Sequence, residues 1–237
     1  MPSVANLPRV VRFDYNKHLP QSSTEKTSDL FFILSALYVS GVEEKVLTRL
    51  TLEKVLFKSS QILAEKNYQF LNTFFFINTY GPHNNVFYKY LEELQRAGLI
   101  EVEKRDVFLT SKGLRVISDI IEELSGDGTL KDVLSVLTER TKAYANNPTL
   151  SLNETHHQHV IDTTDSNKEK TIEDLIKEAD TVRLFEKSSQ FKYIESASST
   201  PTKVMVPPPV LNKLDTVLAN VEDVDFEDRM DIQWIFA

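Results

Sequence analysis

Residues 84–124 leave the chain few local paths. Phe87, Tyr90, Leu91, Leu94 and Ala97 recur at helical spacing after Asn84, a residue suited to an N-cap, and Gly98 follows as a left-handed stop. Leu99–Val102 and Val107–Thr110 read as two short strands around the polar Glu103-Lys104-Arg105-Asp106, the pattern of a hairpin. Thr110 or Ser111 then caps a helix through Leu114, Ile117, Ile120, Ile121 and Leu124, which Gly126 ends. Upstream, Ser28 or Asp29 caps a helix over Leu30–Ser40 that is apolar nearly all round and therefore central. A second helix, Thr51–Lys66, carries Leu52, Val55, Leu56, Ile62 and Leu63 on one stripe, and Leu130–Tyr144 adds another helix downstream. The run Phe70–Ile77 fits a strand or a buried helix, and Tyr80-Gly81-Pro82 ends it. Three helices, a two-stranded wing and a further helix form the order of a winged helix. The expectation is a mainly α protein with that domain over residues 28–144.

Charge divides the chain at the same place. Residues 1–144 hold 18 Lys and Arg against 18 Asp and Glu, so the net charge of −8 falls wholly on residues 145–237. All six glycines lie before residue 129, and 17 of the 23 aromatic residues lie before residue 145. Turn-forming and core-filling residues are thus concentrated in the first part. Residues 1–27, with three prolines, read as an N-terminal arm containing a short strand-like Val10–Phe13. Asn146-Asn147-Pro148 opens a polar stretch, 145–168, read as a linker, and residues 169–237 as an acidic partner-docking region. Zero cysteines exclude a disulfide scaffold, a thiolate nucleophile and a zinc ribbon. No stretch approaches ~20 uninterrupted apolar residues, and the start lacks the apolar run of a signal peptide, so a cytoplasmic protein without membrane partners is expected.

Three phrases carry a resemblance. LTLEKVLFKSSQIL, FFFINTYGPHNNVFYKYLEELQRAGLIEV and FLTSKGLRVI together resemble the Panacea or SocA-like antitoxin group. Leu52, Lys54 and Val55 match its helix, Tyr80, Gly81 and Pro82 its turn, and Leu99 and Ile100 the residues after its last helix. The helix departs from the usual Gln-Lys-Leu form by reading Glu53-Lys54-Val55, and the similarity covers roughly 29–121. The same residues resemble small helical-wing subunits that accompany ATPases in multi-protein defence systems. The resemblance implies a protein that neutralises or assists a larger partner by binding it, whether a toxin, an ATPase or another complex subunit. It implies no enzyme.

No Ser/His/Asp set, paired-carboxylate motif or Gly-rich phosphate loop is present, so neither catalysis nor a cofactor is expected. His156, His157 and His159 are metal-capable, but in a polar linker they read as solvated, and no metal is expected. A winged helix invites DNA binding as an alternative, through Asn84, Asn85, Lys89 and Arg96 on the recognition helix and Lys104 and Arg105 on the wing. Glu92, Glu93, Glu101, Glu103 and Asp106 offset those charges, and duplex binding needs a basic surface. Two C-terminal features favour a protein partner instead. Val210, Leu211, Leu214, Val217 and Leu218 form an amphipathic stripe after Pro207-Pro208-Pro209. Phe226, Met230, Ile232, Trp234 and Phe236 then stand among six acidic residues and a single arginine, a composition suited to a basic or apolar groove.

Overall fold

A computed structural model describes residues 7–13, 21–66, 68–84, 86–178, 182–186, 202–204 and 206–219. After β1 (Arg9–Arg12), a capping box between Ser22 and Glu25 starts α1 (Ser23–Val42), earlier than the Ser28 or Asp29 start expected from sequence. Leu30, Phe31, Phe32 and Leu34 on this helix are fully buried, as its all-round apolar pattern requires. The short β2 (Leu47–Thr48) leads into α2 (Arg49–Glu65), with Thr48 as its N-cap. Three brief strands follow, β3 (Tyr68–Gln69), β4 (Phe76–Asn78) and β5 (Gly81–His83), and then α3 (Phe87–Arg96).

The hairpin expected after Gly98 is present as β6 (Ile100–Glu103) and β7 (Asp106–Leu109), and Gly98 takes the left-handed φ of +67°. Thr110 caps α4 (Ser111–Glu123), and Asp127 caps α5 (Gly128–Asn146). The rest of the described chain forms α6 (Pro148–His156), β8 (His159–Asp162), β9 (Lys168–Thr171), α7 (Ile172–Lys177), β10 (Arg183–Phe185), β11 (Thr202–Lys203) and α8 (Pro208–Ala219). No helix among the described residues is long and apolar enough to cross a membrane.

These elements correct the winged-helix expectation. The protein has an α/β fold with a curled, mixed six-stranded sheet ordered β5-β4-β10-β1-β8-β9, beside a three-stranded sheet ordered β2-β7-β6. Strand β1 sits inside the larger sheet, antiparallel to β10 and parallel to β8, with Val10 fully buried. Residues 9–12, within the segment read as an arm, thus form an interior strand at the place where Val10–Phe13 was read as strand-like. The supposed linker, 145–168, holds α6 and β8: Asn147 accepts from the Leu150 N–H and Pro148 occupies the first turn. Asn-Asn-Pro is a helix start here, since proline at that position forfeits no helical hydrogen bond. A capping box between Thr171 and Asp174 starts the short α7, and Phe185 packs in β10.

The C-terminal stripe belongs to the core as well. Val210, Leu211 and Leu214 are buried, Val217 and Leu218 are half-buried, and α8 lies against α1. A hydrogen bond from Thr27 Oγ1 to Asp215 at 2.5 Å and the Lys213–Glu123 ion pair hold it there. The short amphipathic helix is stable because its stripe is covered from within the chain. Val210, Leu211 and Leu214, assigned from sequence to an external partner, are thus engaged within the chain. Phe226, Met230, Ile232, Trp234 and Phe236 lie outside the described residues.

Gly113 supplies a sharp test of this packing. A Cβ there would stand 1.9 Å from the Leu99 carbonyl oxygen, backbone that cannot move aside without shifting the β6 entry. Gly113→Ala should cost about 3 kcal/mol or more in chemical denaturation, whereas Gly126→Ala, which meets nothing within 4 Å, should stay within about 0.5 kcal/mol of wild type. Leu214→Ala, at a fully buried position of α8, should cost about 2–5 kcal/mol in the same measurement.

Candidate functional site

The densest polar chemistry lies beneath the start of α3. Asp29, well inside α1, is 1% exposed. Its Oδ1 accepts from the Asn72 backbone N–H at 2.8 Å and from Asn72 Nδ2 at 3.1 Å. Its Oδ2 accepts from the Thr73 N–H at 3.0 Å and from Gln21 Nε2 at 2.7 Å. Burial pushes the Asp29 carboxyl up to about 7, against the opposing effect of these four donors. One carboxylate thereby fixes the irregular segment between β3 and β4, whose backbone donors would otherwise be buried without partners.

Asn84 continues the network. Its Nδ2 donates to Thr73 Oγ1 at 2.5 Å, its backbone N–H donates to Glu53 Oε1 at 2.7 Å, and its Oδ1 accepts from the Val86 N–H at 3.0 Å. Glu53, also 1% exposed, receives a second donor from His83 Nδ1 at 3.0 Å. The next residue of α2, Lys54, is fully buried and donates its Nζ to the Pro82 carbonyl. Burial draws this amine down to about 8, while the neighbouring Glu53 charge opposes the shift. Consecutive residues of α2 therefore grip β5 and the residue after it from below. Gly81 makes the approach feasible, with φ +84° and with His156 close enough that an added Cβ would stand 3.1 Å from its ring.

Asp29, Glu53, Thr73, Asn84 and Tyr90 line one cavity of about 10 Å³, closed by Ile33, Leu56, Leu71, Phe75 and Phe87. That space holds about one water, for which the polar lining supplies partners. Toward solvent, the His83 side chain retains 20% of its surface, and its ring centre lies 5.8 Å from that of Tyr88. Its Nδ1 is held by Glu53, the arrangement by which carboxylates orient histidine rings.

A second cluster staples the far side of the large sheet. Asp162, fully buried, accepts from Arg183 Nε at 3.0 Å and from Thr164 N and Oγ1 at 3.0 and 2.6 Å. Burial alone would raise its carboxyl, but the Thr164 bonds and Arg183 outweigh that effect and hold it low. Lys170 joins Asp162, Asp165 and Glu178, and Arg183 Nη2 also reaches Glu178 at 2.6 Å. Each carboxylate is matched by a cation, so this cluster locks β8, β9 and β10 together.

Of the residues proposed from sequence for DNA, one is withdrawn into the interior. Asn84 is buried and all of its polar groups serve the interior, which removes it from contact with bases; Asn85 lies outside the described residues. Lys89, Arg96, Lys104 and Arg105 are exposed, with Lys104 at the hairpin turn at φ +57°. The histidines diverge: His157 pairs with Glu173, His159 with Glu169, and His156 rests against Gly81. No cluster of three or more metal-binding side chains occurs among the described residues. Asp29, Glu53, Asn72, Thr73 and His83 were missed as site residues. The available signal was a Glu-Lys pair set within an apolar helix stripe, together with a Gly-Pro-His-Asn turn.

Compared with known proteins, the chain matches no family model, no curated protein and no solved structure.

The Asp29 carboxyl gives a signed pH dependence. With its ordinary value of 3.8 raised to about 7 in the folded protein, its contribution is fully present below 3.8 and lost as pH rises through 7. Between those limits the folded state should lose up to about 1.4 kcal/mol per pH unit from this group. Denaturant titrations of wild type and Asp29→Asn at a series of pH values should show the slope in wild type only. Parallel slopes in the two proteins would exclude Asp29 as the source.

Proposed function

We propose that this chain is a non-enzymatic protein-binding subunit, an antitoxin-like or accessory component of a defence or toxin–antitoxin assembly. Its docking element is the segment that follows α8. The observation that carries this reading is the seating of α8. Because Val210, Leu211 and Leu214 are buried in the body, the helix is an anchor, and its exposed last residue, Ala219, starts the terminal segment from a fixed place beside α1. That segment contains Phe226, Met230, Ile232, Trp234 and Phe236 among six acidic residues and one arginine. Aromatic anchors of this kind dominate binding energy at interfaces, and the surrounding acids select a partner with a basic rim. The ionisable groups gathered inside the body support the same reading. They are engaged with one another around a cavity of about 10 Å³, too small for an organic substrate. The resemblance of residues 29–121 to the Panacea or SocA-like group supplies the proposed setting.

The test is co-purification of the full chain from its native host, with quantitative mass spectrometry. The triple variant Phe226→Ala, Trp234→Ala, Phe236→Ala should lose at least about tenfold of the specific partner, because each buried aromatic anchor contributes on the order of 2 kcal/mol. Its melting temperature should stay at the wild-type value. Retention of the same proteins at wild-type levels by the triple variant would refute the assignment.

A further inference from the structure

Strand β6 ends the three-stranded sheet, whose order β2-β7-β6 gives it one ladder neighbour among the described residues. Its pairing with β7 sets Ile100 opposite Leu109, Glu101 opposite Phe108, Val102 opposite Val107 and Glu103 opposite Asp106. Just before the first of these pairs, the Thr110 N–H donates to the Leu99 carbonyl at 3.0 Å. An antiparallel ladder alternates bonded and non-bonded pairs, so this bond fixes its phase. Glu101 and Glu103 direct their backbone groups toward β7, whereas Ile100 and Val102 direct theirs away from it. No hydrogen bond to the Ile100 or Val102 backbone occurs among the described residues. Ile100 is buried at the inner end of the strand, but Val102 is half-buried between two exposed glutamates. The accessible stretch of this edge is therefore centred on the Val102 N–H and C=O.

The side chains along this stretch carry one sign of charge. Alternate residues of a strand share a face, and so do directly opposed residues, which puts Glu101, Glu103, Asp106 and Phe108 on one face of the sheet. Glu103 and Asp106 are directly opposed, a placement of like charges that costs stability. None of the three carboxylates makes an ion pair among the described residues. Asp162 and Asp165, by contrast, are neutralised by Arg183 and Lys170. Lys104 and Arg105 lie on the turn beyond the end of the strand, where Arg49 holds their carbonyls.

We propose that the outer edge of β6 receives an extended, basic segment of a partner protein as a fourth strand, with Lys or Arg at every second position. The Val102 N–H and C=O supply the main-chain bonds, and alternate side chains supply the specificity. The basic side chains lie over Glu101 and Glu103, with their stems along half-buried Phe108. The same glutamates exclude a second copy of the chain as occupant, because two β6 strands paired antiparallel about Val102 would set Glu101 against Glu103. The acidic terminal segment of this chain is repelled on the same ground. The site is independent of the role of that segment, and a peptide assay on β6 reports it separately.

The experiment titrates the full chain with the synthetic peptide acetyl-Lys-Val-Lys-Val-Lys-Val-amide at constant ionic strength, following backbone amides by NMR. Saturable binding with a dissociation constant of about 1 mM or lower is expected, with the Val102 amide shifted and protected from exchange. The acidic counterpart, acetyl-Glu-Val-Glu-Val-Glu-Val-amide, should bind about tenfold more weakly or not at all. Val102→Pro removes the outward donor without touching the β6–β7 ladder, a substitution that edge strands accommodate. It should weaken binding of the basic peptide about tenfold, the effect of one lost main-chain hydrogen bond. The double variant Glu101→Lys, Glu103→Lys should reverse the preference between the two peptides, and it decides the matter if Val102→Pro fails to fold. Absence of saturable binding by the basic peptide, equal binding of both peptides, an unreversed preference in the folded double variant, or undiminished binding by folded Val102→Pro would overturn the proposal.

Discussion

The Asp29 carboxylate is the constraint on which the rest of the interior depends. It sits on the most buried helix and accepts four hydrogen bonds, two of them from consecutive backbone N–H groups in the segment between β3 and β4. That segment carries Phe70, Leu71 and Phe75 into the core, so its path decides how the large sheet meets the helices. Without a buried acceptor, its donors would have to seek water and draw the apolar side chains outward with them. The cost of burying a carboxyl is offset by satisfying several polar groups at once. Such an exchange favours one arrangement over near alternatives more than it adds net stability.

The same logic passes through Thr73 and Asn84 to Glu53, and from Glu53 to His83 at the surface. Lys54, pointing from the same turn of α2 to the Pro82 carbonyl, prevents β5 from sliding, since Pro82 has no N–H with which to secure itself. Strand β5 is the edge of the large sheet, and its other neighbour is His156 of α6, seated against Gly81. Interior carboxylate, edge strand and helix contact therefore act as one mechanical unit. The partly exposed face of His83 and Tyr88 is positioned by that unit rather than by local loop preferences.

What could be read from the sequence follows from the length of the signal. Helices α1, α2, α3, α4 and α5 show several turns of apolar spacing, and the β6–β7 hairpin is local. The six-stranded sheet was illegible because its strands have three or four residues each, too few to display a period of two, and come from opposite ends of the chain. The local elements therefore suggest a winged helix: β1 and β8 look like an arm and a linker until each is paired with the other. The buried polar residues misled in a different way. Asp29 reads as a helix cap and Asn84 as a helix start, because those are the commonest local uses of such side chains. Their long-range partners, 31 to 44 residues away in the chain, set their actual roles.

Folding also changes the meaning of the net charge. The acids after residue 144 are not one uniform solvated face: Asp162, Asp165, Glu169, Glu173 and Glu178 each have a cationic or histidine partner in the sheet and α7. Beyond residue 219, six acids face a single arginine, so −5 of the chain's −8 belongs to the last 18 residues. Screening at physiological salt confines the reach of these charges to about 8 Å, so they act only on what lies within that distance. An acidic stretch that also carries a tryptophan and two phenylalanines combines apolar anchors with charge, and a basic, apolar counterpart is the kind of surface that uses both.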